Sequence, residues 1–255
     1  MNNSFVLITG ATAGFGEACA HEFASKKHPL IITGRRKERL EKLASDLAQN
    51  YGITVHALCF DVRNETEVET AIQSLKELGV LSIAILINNA GLAVGRGPID
   101  TGLSDDWDRM IDTNVKGLLY VSRAIIPFLK NNDGQRHIIN IGSIAGKEVY
   151  PGGNVYCASK HAVDALSKAM RIDLLPFQIK VTNIAPGAAE TEFSVVRFKG
   201  DQEAADAVYQ GFDPLTAKDI AETAYFVASR PAHVNINDIV IMPAAQASAT
   251  VLERN

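Results

Sequence analysis

Short, continuously apolar runs alternate along this chain with longer stretches of helical period, and that alternation admits few folds. Phe5 to Thr9, Leu30 to Thr33, Thr54 to Phe60, Ile83 to Ile87, His137 to Ile141, Lys180 to Ile184 and Asp238 to Met242 read as strands. Phe15 to Lys27, Arg36 to Tyr51, Glu65 to Leu78, Trp107 to Lys130, Val155 to Leu175 and Ala217 to Ser229 read as helices. The strands lack the polar alternation of a sheet with one wet face, so helices must cover both sides. The pattern predicts an α/β protein built on a doubly wound parallel sheet of about seven strands. Right-handed crossovers then gather the carboxyl ends of the strands, and any ligand, along one edge.

No linker, repeat or low-complexity tract interrupts the pattern, which makes residues 1–255 a single domain. The segment 187–214 follows the sixth strand and fits neither a strand nor a continuous helix; its length and place suit a substrate lid. The tail 243–255 is small and apolar through Val251, which suits docking at a pocket or a subunit contact.

The first strand runs into Thr9-Gly10-Ala11-Thr12-Ala13-Gly14-Phe15-Gly16 and then a helix. Glycines at Gly10, Gly14 and Gly16 let the backbone turn sharply, and with Thr12 and Phe15 they bring a dinucleotide's pyrophosphate to the helix N-terminus. The spacing is Gly-x-x-x-Gly-x-Gly, not the commoner Gly-x-Gly-x-x-Gly. The second strand ends in Arg35-Arg36, where an NAD site would hold a carboxylate. Arginine forks grip a 2′-phosphate, and an anion there relieves two cations at a helix start, so NADP (NADPH) is the cofactor expected.

A second cluster carries acid/base chemistry. Tyr156 and Lys160 share a helix face at Tyr-x-x-x-Lys spacing. An ammonium beside a phenol favours the phenolate, so Lys160 is expected to lower the pKa of Tyr156. Ser143, at the end of the fifth strand, places a hydroxyl where it can bond a carbonyl oxygen that Tyr156 protonates. A small acid would also need a cation, and the candidates for its carboxylate are Arg197, Lys147 and, behind them, Lys199. Glu190 and Glu192 are candidates for a substrate amine, and Trp107, Phe193, Phe198, Tyr209 and Phe212 for pocket walls.

Composition narrows the partners. The net charge of −4 and the lack of a basic stripe argue against nucleic acid or an anionic membrane. The N-terminal stretch lacks the basic region of a signal peptide and no later run spans a bilayer, which points to the cytoplasm. The 3 cysteines and 6 histidines fall at no metal-ligand spacing, so no metal is expected.

Taken in order, the glycine turn, Asn88-Asn89-Ala90-Gly91, Asn114, Ser143, Tyr156, Lys160 and Pro186-Gly187 resemble the short-chain dehydrogenase/reductase family over essentially the whole chain. The resemblance implies a Rossmann-type sheet with helices on both faces. It implies that Asp61 and Val62 flank the adenine, that Asn88, Ala90 and Gly91 line the ribose side, and that Pro186, Gly187 and Thr191 meet the nicotinamide. Tyr156 would be the general acid/base, Ser143 would orient the carbonyl, Lys160 would hold the nicotinamide ribose, and Asn114 would support a proton-relay water. Ala188 and Ala189 depart from the bulkier residues many members carry there.

Residues Thr191 to Gly200, Tyr209, Pro231 to Asn237 and Met242-Pro243 are similar to the NADP-dependent 3-hydroxy acid dehydrogenases, which include serine and L-allo-threonine dehydrogenases. That likeness implies a homotetramer acting on a small hydroxy acid or the matching carbonyl compound. A 3-ketoacyl reductase shares the same catalytic residues, and a non-catalytic NADP-binding scaffold is a third reading, opposed by the intact Ser143, Tyr156 and Lys160.

Overall fold

The computed structural model describes residues 4–255; residues 1–3, part of the N-terminal stretch read above for a signal peptide, lie outside them. Seven strands pair in the order β3-β2-β1-β4-β5-β6-β7. They are β1 (Phe5–Ile8), β2 (Leu30–Gly34), β3 (Val55–Cys59), β4 (Ile83–Asn88), β5 (His137–Ile141), β6 (Lys180–Pro186) and β7 (Asp238–Ile241). Every pairing is parallel. The long helices are α1 (Gly14–Ser25), α2 (Lys37–Tyr51), α3 (Glu65–Ser74), α4 (Ser104–Ile111), α5 (Leu118–Lys130) and α6 (Asn154–Asp173); α7 (Glu192–Arg197), α8 (Gln202–Ala207) and α9 (Ala217–Ala228) follow.

The continuous apolar runs now have their reason. Val6, Ile8, Ile32, Ile139 and Ile184 point to one face and pack against Phe23 of α1, Leu43 of α2 and Val227 of α9. Leu7, Ile31, Leu86, Ile138 and Val181 point to the other and pack against Ile72 of α3, Ile125 of α5 and Val163 of α6. Since successive strand residues face opposite layers, both registers must be apolar, each buried Leu or Ile contributing roughly 1.5 to 3 kcal/mol. β1 pairs with both β2 and β4, so the winding reverses between β1 and β4. A crevice opens above their carboxyl ends.

Two predicted elements differ. The single helix expected over Trp107 to Lys130 is divided: α4 gives way to a wider π-helical turn, Asp112–Gly117, before α5 begins. Within that turn, buried Asn114 accepts from the Leu92 N–H at 2.8 Å and donates to the Leu92 carbonyl at 2.8 Å. A local widening that aims one side chain inward leaves no trace in hydrophobic periodicity. The segment 187–214 contains α7 and α8, six residues each, too short for periodicity to register. Among the described residues, no helix is long and apolar enough to cross a membrane, and no group of 3 or more His, Cys, Asp or Glu is placed to hold a metal ion.

Candidate active site

The turn after β1 is built on left-handed backbone, with φ of +66° at Gly10 and +54° at Gly14, where side chains are strained. Gly16 is required by proximity. A Cβ there would stand 2.3 Å from the Gly10 carbonyl oxygen and 2.5 Å from Asn89 Nδ2. Gly10, Thr12, Gly14 and Phe15 line a cavity of about 530 Å³ that runs from Arg35, Arg36, Asp61 and Val62 to Ser143, Tyr156 and Lys160. Gly16 lies behind that wall and acts through packing.

At the β2 end, Arg36 uses three of its five N–H donors within the protein and keeps one on each terminal nitrogen. Its Nε donates to Thr12 Oγ1 at 3.1 Å, its Nη2 to the Thr12 carbonyl at 2.9 Å and its Nη1 to Glu192 at 3.0 Å. Arg35 is freer, 3.7 Å from Asp61. Burial pushes the Asp61 carboxyl up, but hydrogen bonds from Arg63 and the nearby arginine charges outweigh it and hold it below the usual range.

Asn88 does not face the cavity. Its side chain is buried and donates to Ser122 Oγ and Asn140 Oδ1, both at 2.9 Å, tying β4 to β5 and α5. The ribose-side assignment of its side chain is therefore corrected. As the last residue of β4, it points into a helix layer. Asn89, one residue on, lines the cavity and donates to the Thr9 and Gly10 carbonyls, beside Ala90 and Gly91.

Ser143 follows β5, and its hydroxyl accepts from the Ala145 N–H at 3.1 Å. Tyr156 and Lys160 emerge from the first turns of α6, both buried. The expected lowering of the Tyr156 pKa is not found in the protein alone. Burial drives the phenol well above its ordinary value and Tyr150 adds to this, with the Ser143 hydroxyl and Arg197 pulling only part of the way back. The ammonium does not offset that burial: Lys160 Nζ donates to the Ile141 carbonyl at 2.9 Å and lies 6.0 Å from the Tyr156 ring centroid. Burial also pushes Lys160 itself down to about 8. Asn114 sits beneath, since a Cβ on Gly91 would lie 3.2 Å from Asn114 Oδ1 and 3.6 Å from Lys160 Nζ. Its amide donates to Ser159 Oγ at 3.0 Å, whose hydroxyl donates to the Tyr156 carbonyl at 2.8 Å.

The candidate cations separate sharply. Arg197 lines the cavity, with its guanidinium 5.3 Å from the Tyr150 ring centroid and 5.7 Å from that of Tyr156. Its Nη2 donates to the Tyr150 hydroxyl at 3.0 Å, and its buried Nε has no partner. Lys147 is corrected: it is turned away to Asp164 at 2.5 Å and Asp238 at 2.7 Å, binding α6 to β7. Lys199 is likewise occupied, 2.7 Å from Asp106. Glu192 does not face the Ser143–Tyr156 end either; it meets Arg36 and, at 3.2 Å, Arg39.

Pro186, Gly187 and Thr191 line the cavity, and Thr191 approaches the glycine turn, 3.4 Å from a Cβ on Gly14. Phe193 packs 5.7 Å from Tyr156, and Tyr209 donates to the Ala189 carbonyl at 2.8 Å; both are walls. Phe198, Phe212 and Trp107 lie outside the cavity lining, Trp107 packing over Gly102. Sequence reasoning did not single out Tyr150, Arg39 or Gln246. Gln246 Oε1 accepts from the Ala188 N–H at 2.7 Å, 58 residues away, a contact for which no local motif exists. Tyr150 sits in a Tyr-Pro-Gly-Gly turn that marks a bend and nothing more.

The family model described as short chain dehydrogenase matches residues 4–202. Over 254 residues the chain is 46% identical to "Sulfoacetaldehyde reductase 2" of Chromohalobacter salexigens, covering 99% of this chain and 100% of that one. It is 47% identical to the "NADP-dependent 3-hydroxy acid dehydrogenase YdfG" of Escherichia coli, covering 96% of each. Among solved structures, the closed form of serine dehydrogenase complexed with NADP+ superposes with a TM-score of 0.90 at 45% identity, covering 98% of this chain and 99% of that one.

Proposed function

The chain belongs to the short chain dehydrogenase family, and from that premise we propose that it is an NADP-dependent oxidoreductase interconverting a small 3-hydroxy acid and its 3-oxo acid. Serine, allo-threonine and 3-hydroxypropionate are of the right class. The cavity fits the cofactor: the glycine turn lines it at the start of α1, whose N-cap Ala13 gives the first helical N–H groups no side-chain partner, and arginines stand at the far end where a 2′-phosphate would lie. Gly10, Thr12 and Gly14 would hold the pyrophosphate, Arg35 and Arg36 the 2′-phosphate, Asp61 and Val62 the adenine, and Thr191 with Pro186-Gly187 the carboxamide side. When bound, NADP supplies the carbon that accepts or donates the hydride.

The protein moves the proton. In oxidation Tyr156 takes it from the substrate hydroxyl, and in reduction returns it. Ser143 donates a hydrogen bond to the same oxygen as charge develops there. Lys160 orients the ribose, and Asn114 backs Gly91 and Lys160 from below. The segment 187–214 acts as the lid and the tail 243–255 as its support.

One observation carries the choice of an acidic substrate: Arg197 sits over Tyr156 with a buried donor unpaired. A sulfonate carries the same single negative charge as a carboxylate, spread over three tetrahedrally arranged oxygens, so 2-hydroxyethanesulfonate belongs in the assay beside the hydroxy acids. Charge-assisted hydrogen bonds are worth roughly 1.5 to 3 kcal/mol, about 10- to 150-fold. Arg197→Met should thus raise KM for acid substrates by about that factor and for neutral alcohols by less than about threefold. Equal effects on both would refute the anion site, and turnover of acyl thioesters alone would favour the 3-ketoacyl reaction.

The cofactor preference is checked separately. Arg35→Asp should lower kcat/KM for NADP by about a hundredfold, a lost charge-assisted contact plus repulsion, with NAD little changed. A wild type that prefers NAD would contradict the assignment. A cytoplasmic homotetramer belongs to the same reading, supported by the resemblance and by the exposed apolar side chains Ile99, Leu103 and Leu119.

A further inference from the structure

One short helix joins the two ends of the cleft. α7 begins at Glu192, whose carboxylate meets Arg36 at 3.0 Å and Arg39 at 3.2 Å on the adenosine side. It ends at Arg197, which lies against Tyr150 and Tyr156 on the catalytic side. The far end has its own anchor, because the Gly95 N–H donates to the Arg197 carbonyl at 3.0 Å. The near end is held to the cofactor wall by charge and by the packing of Thr191 near Gly14.

We propose that Glu192 is a positioning residue that ties the lid to the arginines of the 2′-phosphate site, so that grip on the cofactor's adenosine end sets Arg197 over the substrate. The proposal rests on the NADP reading above.

Charge count favours sharing over displacement. Arg35, Arg36, Arg39 and Arg63 bring four positive charges to this corner; a 2′-phosphate carries about −2, and Glu192 and Asp61 carry −1 each, which balances them. Arg36 also holds Thr12 of the glycine turn through Nε and Nη2, so a single side chain braces both the turn and the lid. Partial burial pushes the Glu192 carboxyl up, but the hydrogen bonds and charges of Arg36 and Arg39 prevail and hold it low, so it stays ionised at neutral pH. Exposed ion pairs are individually weak, and the tether's effect is accordingly severalfold.

The test uses the full chain loaded with NADP, comparing wild type, Glu192→Gln and the charge-conserving Glu192→Asp. Hydrogen exchange read by mass spectrometry over residues 188–200 should quicken about fivefold in Glu192→Gln and return toward wild type in Glu192→Asp. KM for the hydroxy acid should rise about three- to tenfold in Glu192→Gln, with a neutral alcohol within about twofold and the NADPH dissociation constant within about threefold. Unchanged exchange overturns the tether. So does NADPH binding tightened tenfold or more, which would make Glu192 a rival of the phosphate. A wild type binding NAD as tightly as NADP removes the premise, whereas NADP preference with unchanged exchange defeats the tether alone.

Discussion

Tyr156→Phe is expected to cut kcat in both directions by about 10³-fold, the middle of the range for a lost general acid/base, while NADPH binds within about twofold of wild type in a fluorescence titration. Removing one hydroxyl changes neither the volume nor the packing of the ring against Phe193, so the fold should be unaffected. Near-normal turnover would remove Tyr156 from the chemistry. The pH dependence has a definite sign. Burial holds the phenol above its ordinary value, so below that value the phenolate fraction grows tenfold for each pH unit. Oxidation needs the phenolate, and its kcat/KM should climb with unit slope from pH 6 upward until cofactor charge or another group limits it. Reduction needs the phenol and should be flat over the same interval. A falling oxidation profile would exclude Tyr156 as the base.

Lys160→Met should be nearly inactive and yet more stable. Loss of the ammonium removes the group that would orient the ribose, for an expected drop of about 10²-fold or more in kcat/KM. The stability gain follows from linkage. The folded pKa of about 8 lies below the ordinary lysine value of 10.5, so the folded protein disfavours the charged side chain. Below pH 8 both states are protonated and the full penalty, on the order of 3 kcal/mol, is present. Between pH 8 and 10.5 the penalty is relieved, and wild-type stability from this group rises with pH. Methionine never pays it. The lost bond to the Ile141 carbonyl offsets part of the gain, leaving a Tm higher by about 2 to 5 °C at pH 7 and a difference that shrinks toward pH 10. Calorimetry across that range checks it, and a variant less stable at pH 7 would show that the buried ammonium is not a net cost.

The architecture was legible because its signal is local and repeated: the central strands had to be largely apolar in both registers, as Leu7 and Ile8 show by facing opposite layers. The candidate site was legible where its chemistry is packed into contiguous motifs, as in Gly10 to Gly16 or Tyr156 to Lys160. What stayed hidden depends on partners remote in the chain. Lys147 looked like a free cation beside Ser143, and only the fold brings Asp238, 91 residues on, against it. Glu192 meets Arg36 across 156 residues. Helical spacing placed Lys160 near Tyr156 but could not say that Nζ turns to the Ile141 carbonyl, nor that burial of the phenol would dominate its shift.

The tail grips the segment it faces from two sides. Gln246 accepts from the Ala188 N–H at its start, and near its end Arg254 donates to the Val208 carbonyl at 3.0 Å while the Asn255 N–H donates to Gly211 at 2.8 Å. Grafting residues 187–214 from a relative with another substrate would import a fitting without its socket. In this architecture the heritable unit of specificity is a discontinuous pair, and chimeras or directed libraries that recombine both stretches together should retain activity far more often than those that exchange either one.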